Sequence, residues 1–523
     1  MPHDTAKPGT TYDVVPYESF PFPDTHPDRL ATLGRLFGLQ PAGLDHCRVL
    51  ELGCASGGNL IPMAIAMPEA EFVGVDLSSV QVAQGLQAIA ELGLTNIRLL
   101  AMSITDVDES LGRFDYILTH GVYSWVPNEV QEKILSICAR QLSANGIAFV
   151  SYNTLPGWRM RGLIRDAMRF HAMQFDDPAL RVAQARGILD FLAKWVPAEN
   201  NAYGMLLRSE LDTLRNAADY YILHEHLEDI NEPIYFHEFV ERAGHHRLQY
   251  LAEADISTML ASNFPQGVFD TLVRIAPDVI RQEQFMDFLR NRTFRQTLLV
   301  RQEHSIVRTL TPERVTSLWV SATLTPATGN PDPASPQEAV FQGPKGGMVA
   351  TANAVTKAAI QVMAQRWPER FAFPDLLDRA SELVARNGDH SSTRPGLSAT
   401  SILASDLLQC HMGGMVELHS GPAPFVAQAG ERPLASPLAR WQAAKGLRQV
   451  TTLRHEVAVL DEGVGGFLAL LDGTRSREAL CVTAEKMNLH GSTLQNTGAA
   501  TVPIRDWVDQ VLSRMAAAAL LLA

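Results

Sequence analysis

The stretch VLELGCASGGNL, Val49 to Leu60, decides how the rest of the chain is read. A short apolar run carries one acid, Glu51, passes through small residues with glycines at 53, 57 and 58, and turns apolar again at Leu60. That order describes a strand, a tight turn and the start of a helix. Such a turn brings backbone close to a ligand, because glycine lacks the Cβ that would stand in the way.

Three ligands compete for a turn of this kind. The dinucleotide fingerprint G-x-G-x-x-G is only approximated, by Gly53, Ala55 and Gly58. A P-loop is excluded, since no Lys-Ser or Lys-Thr pair follows the glycines. S-adenosylmethionine fits better. Glu51, two residues before the first glycine, would repel a pyrophosphate and attract an ammonium group and a sulfonium. Asp76 ends the next apolar run, EFVGVDL, where a carboxylate accepts hydrogen bonds from ribose hydroxyls.

Outward from the turn, residues 45–155 alternate short apolar runs with amphipathic segments. CRVLELG, EFVGVDL, IRLLAMSI, FDYILTHG and IAFVSYN read as strands. LIPMAIAMP, SVQVAQGLQAIAELG and EVQEKILSICARQLSANG read as helices. Strand–helix repeats at this spacing predict a parallel sheet covered by helices on both faces, which is why the strands are apolar throughout. Residues 157–217 carry apolar positions at spacings of three and four and predict a helical insertion giving dimer or substrate contacts. The segment from YYILHEHL to LQYLAEAD reads as strand, helix closed by Gly244, and strand, completing the core over 218–255. Residues 256–325 read as a helical middle (regulatory) domain. A Pro-, Gly- and Ala-rich linker then spans 326–349, and a winged-helix-like C-terminal domain spans 350–523, with a second helical unit inside it. The fold class expected is α/β, a Rossmann-like core with a helical insertion and mainly helical, winged-helix-like C-terminal modules.

The totals agree with a multidomain globular protein: 523 residues, 46% apolar and 19% charged, so two to four buried cores are expected. The net charge of −13 argues against a nucleic-acid partner. No secretory signal pattern opens the sequence, and no run reaches the ~18 apolar residues of a membrane helix. No stable membrane insertion is expected. Five cysteines without a CxxC pair suit a reducing compartment, so the expected location is cytoplasmic.

The motifs ELGCASGGNL, FVGVDLS, FDYILTHGVYSWVP and YNTLPGW together resemble class I methyltransferases. More closely, the chain resembles the bacterial family that joins such a core to a methyltransferase regulatory domain. That family includes rickettsial protein-lysine methyltransferases that modify outer-membrane proteins. YDVVPYESFPFPDTHPDRLATLGRLFGL and EPIYFHEFVERAG extend the likeness over about residues 10–260. The resemblance implies S-adenosyl-L-methionine as cofactor. It places Glu51, Gly53, Ala55 and Gly57 at the methionine end and Asp76 and Leu77 beside ribose and adenine. It adds Tyr17, Cys54, Asn59, Ser103, Ile104 and His120 to the cofactor-binding set. Ser103 and Ile104 stand where an acidic adenine contact is common, with Asp106 as a substitute.

Ligands of an open parallel sheet lie beyond the carboxyl ends of its strands. Here those ends carry HGVYSWVP and SYNTLPGW. Aromatic faces attract cations, so Tyr123, Trp125, Tyr152 and Trp158 are expected to frame a channel for a lysine side chain. A lysine amine must be neutral to attack, and His120 is the first-ranked proton acceptor, ahead of Tyr123 or water. Asn153 in SYN is a further catalytic candidate, though the prolines that follow Asn in base-modifying enzymes are absent. Histidines 224, 226, 237, 245 and 246 match no zinc spacing, so no metal is expected and they are assigned to surface or interface. The expected function is methylation of protein lysines, with a protein substrate and a homodimer as partners. A small-molecule N- or O-methyltransferase and a non-catalytic cofactor-binding regulator are the alternatives.

Overall fold

The computed structural model describes residue 15 and residues 18–343, 346–386, 396–489 and 503–523. Strands β1 (Arg48–Leu52), β2 (Glu71–Asp76), β3 (Ile97–Ala101), β4 (Phe114–Thr119), β5 (Leu142–Asn153), β6 (Leu248–Glu253) and β7 (Phe294–Arg301) form one sheet in the order β3-β2-β1-β4-β5-β7-β6. β1 to β5 run parallel, and β7 pairs antiparallel with both β5 and β6. The fold is a Rossmann-like mixed sheet flanked by helices, with mostly helical, winged-helix-like units at the C-terminal end. Chain order reverses between β1 and β4, which opens a crevice above their carboxyl ends.

Both faces of the sheet are buried. Val49, Phe72, Tyr116, Leu118 and Phe149 pack into one layer, and their neighbours Leu50, Val73, Ile117 and Val150 into the other. That explains the unbroken apolar runs. The flanking helices include α1 (Pro27–Leu36), α2 (Leu60–Ala66), α3 (Ser79–Leu92) and α4 (Asn128–Gln141). Their ends follow local chemistry. The Ser78 hydroxyl caps α3 by accepting the Gln81 N–H at 3.2 Å, and Gly93 closes it at φ +67.

The insertion consists of α5 (Gly157–Ala172), α6 (Pro178–Trp195) and α7 (Ala202–Leu214) around a core of its own. The segment expected as a strand at YYILHEHL is instead helical, Asp219–Ile222 continuing as a π-helix over Leu223–Leu227. Ile222, Leu223 and Leu227 fall on one helical face and pack against Ile164, Leu189 and Leu207. Helix α8 (Phe236–His245) then contains Gly244 rather than ending at it, and His246 forms its C-cap.

Residues 256–325 differ most from expectation. Helices α9 (Gln266–Ile275) and α10 (Val279–Arg290) are present, but β7 follows them and inserts between β5 and β6. The core sheet is therefore complete only at Arg301. The expected linker is not unstructured either. β9 (Thr325–Pro326), β10 (Ala339–Gln342) and β11 (Met348–Thr351) form a three-stranded sheet, because alternate residues Ala339 and Phe341 are buried.

The region expected as one C-terminal domain has two cores. The first joins β8 (Trp319–Ser321), β12 (Phe371–Ala372) and β13 (Glu417–His419) to α11 (Ala354–Gln365), α12 (Phe373–Arg386) and α13 (Ala399–Met412). The second joins a hairpin of β14 (Gln449–Thr451) and β15 (Val457–Val459) to α14 (Pro437–Ala444), α15 (Glu462–Ala469), α16 (Arg477–Lys486) and α17 (Ile504–Ala517). All five cysteines are free thiols. No described helix is long and apolar enough to cross a membrane.

Candidate functional site

The turn after β1 adopts the geometry its glycines permit. Gly53 has φ +82, Ala55 φ +49 and Gly57 φ +79, all in the left-handed region. A Cβ on Gly53 would lie 2.3 Å from Val122 Cγ2, so the Val122 side chain from the loop after β4 occupies the space that any larger residue would need. Asp76, at the end of β2, fixes the turn from the other side. Its carboxylate accepts the Ala55 N–H at 2.8 Å through one oxygen and the Ser78 N–H at 2.8 Å through the other. Gly53→Ala is expected to weaken binding of S-adenosylhomocysteine about tenfold, since left-handed strain of about 1–2 kcal/mol falls on the turn itself. Titration calorimetry checks this, and an unchanged affinity would contradict it.

Beneath the turn lies Glu51, 3% exposed. Its Oε1 accepts the Asn59 Nδ2–H at 2.7 Å, whereas Oε2 is buried without a hydrogen-bond partner. Burial raises the carboxyl to about 8, the Asn59 bond opposes this, and Asp76 adds to it. An unsatisfied buried carboxylate oxygen asks for a cationic donor. The ammonium group of an amino-acid-bearing cofactor meets that demand, so the residues present fit S-adenosylmethionine.

These groups open into a cavity of about 790 Å³. Glu51, Gly53, Cys54, Ala55, Asn59, Asp76, Leu77, Ser103, Ile104 and His120 line one part of it. Trp125, Asn153 and Trp158 line another, with the two indoles edge to face at 6.1 Å. Asn153 is held by bonds from its own N–H to Ser124 Oγ at 2.9 Å and from its Nδ2 to Asn231 Oδ1 at 3.0 Å. His120 packs against Phe22 at 3.9 Å between ring centroids, and Nδ1 sits 3.3 Å from the Ser151 hydroxyl. Burial lowers its imidazole to about 4, opposed by Asp24, which leaves it neutral and a weak proton acceptor near pH 7.

Other expected residues lie elsewhere. Tyr123 and Tyr152 do not line the cavity. They are buried beneath the sheet around Phe239, at 5.2 and 4.2 Å between centroids, and Tyr152 bonds Thr297 through its hydroxyl at 3.0 Å. Alternation along β5 explains the second case, because Asn153 points to the crevice and Tyr152 to the opposite face. Gly57 serves the turn's conformation and is not part of the lining, Asp106 is exposed, and Tyr17 lies outside the described residues. Of the histidines assigned to surface or interface, His224 and His226 are buried within the chain instead, His224 between Glu228 at 2.9 Å and the Val15 carbonyl at 2.8 Å.

Several lining groups were not anticipated. Glu18, Ser19 and Phe22 cover the turn from the N-terminal side, with Ser19 Oγ accepting the Gly58 N–H at 2.8 Å. Thr293 and Phe294 arrive with β7. Glu225, from the π-helical segment, enters beside Trp158, Arg161 and His224. Burial raises its carboxyl to about 7 against the pull of Arg161, His224 and Arg165. Arg161 is held by Glu210 at 3.0 Å and lies over the Trp158 ring at 4.9 Å.

Three family descriptions match the chain: a methyltransferase domain over residues 49–146, a predicted methyltransferase regulatory domain over 218–301, and a PKMT C-terminal winged helix domain over 431–520. The regulatory match thus covers β6 and β7, which complete the core sheet. Among solved structures, PKMT2 from Rickettsia typhi in complex with AdoHcy is 32% identical with a TM-score of 0.84, over 97% of this chain and 100% of that one. Two uncharacterized proteins of Rickettsia prowazekii (strain Madrid E) are also similar. One is 48% identical over 57% of this chain and 54% of its own length, and the other 45% identical over 45% and 93%. The match thus spans about half the length of the first of these curated relatives.

Proposed function

The chain belongs to the S-adenosylmethionine-dependent methyltransferase family that includes PKMT2 of Rickettsia typhi, and from that premise we propose that it methylates lysine side chains of a protein. The observation carrying the proposal is the acceptor part of the cavity. Two indoles, Trp125 and Trp158, and the carboxylate of Glu225 line the same space as the cofactor turn. Indole faces and a carboxylate make a receptor for an alkylammonium.

When bound, S-adenosylmethionine supplies a methyl group on a cationic sulfur, which an amine displaces in line. The chain's residues prepare the acceptor and the pocket. Glu51 offers Oε2 to an ammonium, and Asp76 keeps Ala55 and Ser78 in place around it. Trp125 and Trp158 flank the incoming alkyl chain and exclude water from the amine. Glu225 receives the amine's proton at its carboxylate, since its affinity for a proton lies nearer neutral than that of His120. A net charge of −13 favours approach of a basic, lysine-bearing protein.

The helical insertion supports a homodimer as part of the same proposal. Leu163 and Phe170 lie seven residues apart on one face of α5, and Phe170 is 84% exposed. On α6, Phe191 and Trp195 lie four apart, with Trp195 67% exposed. Side chains of this size usually meet another chain when they cluster. The expected location is the cytoplasm. Incubation with methyl-labelled S-adenosylmethionine and separate pools of cell-envelope protein, lysine peptides and metabolites tests the acceptor class. Label in protein and peptide supports the proposal, and label confined to metabolites overturns it.

A further inference from the structure

The β14–β15 hairpin of the C-terminal winged-helix unit reaches the cofactor turn. His455, at its tip, is 4% exposed and sits at φ +62. The left-handed residue belongs to the hairpin turn, closed by the His455 N–H to the Thr452 carbonyl at 3.1 Å and the Thr452 N–H to the Glu456 carbonyl at 2.8 Å. Its Nε2 lies 2.7 Å from Asn59 Oδ1, and its ring stands 5.2 Å from that of His26. The hairpin is anchored beside it. Arg454 bonds Glu417 at 2.9 Å and lies over Trp367 at 4.4 Å. On the same side, His419 and Arg370 bind Asp28 of α1 at 2.9 and 3.0 Å.

Asn59 has two jobs with opposite polarity. Its Nδ2 donates to Glu51 Oε1 at 2.7 Å and to Thr25 Oγ1 at 3.0 Å, while its Oδ1 accepts the Phe22 N–H at 3.0 Å. With the amide so oriented, His455 must donate through Nε2–H. A flipped amide would turn Oδ1 toward the Glu51 carboxylate and oppose its ionisation. The Phe22 N–H, which can only donate, sets the orientation in which Glu51 is supported, and the histidine donor reinforces it from the other side.

We infer that His455 is a positioning residue for cofactor binding, supplied by the winged-helix unit, which holds the Asn59 amide toward Glu51. The inference rests on the methyltransferase reading above and goes beyond it, since it makes the C-terminal unit part of the cofactor site. A macromolecule that moves the hairpin on engaging that unit is then linked to cofactor affinity, and the linkage is reciprocal.

Calorimetric titration of the full chain with S-adenosylhomocysteine tests it. His455→Leu removes this donor and leaves Asn59 Oδ1 with only the Phe22 N–H and the Thr25 hydroxyl, so its hold on the amide weakens and affinity falls about tenfold. His455→Gln keeps an N–H near the position of Nε2 and stays within about threefold of wild type. His455→Asn suits the left-handed backbone yet falls short of Asn59, so it folds and still loses about tenfold, which covers the case of a Leu variant that does not fold. Asn59→Ala weakens binding by itself, and adding His455→Asn to it costs no more than about a further threefold. The inference is overturned by wild-type affinity in His455→Asn, by a Gln variant as weak as the Asn variant, or by additive losses in the double variant. A wild-type protein that binds no S-adenosylhomocysteine overturns the methyltransferase reading itself. Binding by wild type with an unaffected His455→Asn overturns only the role of the hairpin.

Discussion

Glu51→Gln is expected to weaken S-adenosylhomocysteine binding about a hundredfold near pH 7, read by titration calorimetry. Removing one partner of a buried charge pair costs roughly 3–5 kcal/mol. Ionising a carboxyl held at about 8 takes back about 1.4 kcal/mol of that at pH 7. The difference corresponds to about two orders of magnitude. The same chemistry predicts release of about one proton on binding at pH 7, since the free carboxyl is protonated and the bound one is ionised. Heats measured in buffers of different ionisation enthalpy report that proton, and its absence would contradict the assignment.

The unliganded protein should show the reverse side of this arrangement. Burial raises Glu51 from 4.5 to about 8, so the folded chain holds a proton that the unfolded chain has released between those values. Its contribution to stability is complete below about pH 4.5 and is lost as pH rises through about 8. Glu51→Gln lacks that titration. Its melting temperature relative to wild type should therefore climb across this window, so the carboxyl that serves the ligand weakens the empty fold.

Glu225→Gln is expected to lower kcat about a hundredfold on any accepted protein or peptide. In wild type, kcat/KM should rise with pH through a midpoint near 7 as this carboxyl ionises. Arg161 and Arg165 face it from α5 and His224 from the π-helical segment, and loss of either arginine's charge would move that midpoint upward. The variant should lose the rising limb and keep its affinity for S-adenosylhomocysteine. A kcat within about threefold of wild type would remove Glu225 from the reaction and return His120 or water to consideration.

The cofactor half of the site was legible because its chemistry is local. Glu51, the glycines and Asp76 sit at the ends of two adjacent strands, and a motif of that length carries its own geometry. The last strand was not legible for a physical reason. β7 turns Arg295 inward, fully buried among Glu253 at 2.8 Å, Glu283 at 3.0 Å and Asp287 at 2.8 Å. An ion cluster where the pattern calls for an aliphatic side chain hides a core strand. Tyr152 was misplaced although period-two alternation along SYN separates it from Asn153. Glu225 and His455 carry no local signal at all. The first reaches the cavity only because the insertion folds back onto the core, and the second meets Asn59 across 396 positions of sequence.

The most direct test of protein-lysine methylation is tandem mass spectrometry of the acceptor labelled by wild-type enzyme, with Asp76→Ala as the cofactor-binding control. We predict methyl groups on lysine Nζ, absent from the Asp76→Ala reaction. Methylation of a carboxylate, a thiol or arginine, or product found only among small molecules, would contradict it.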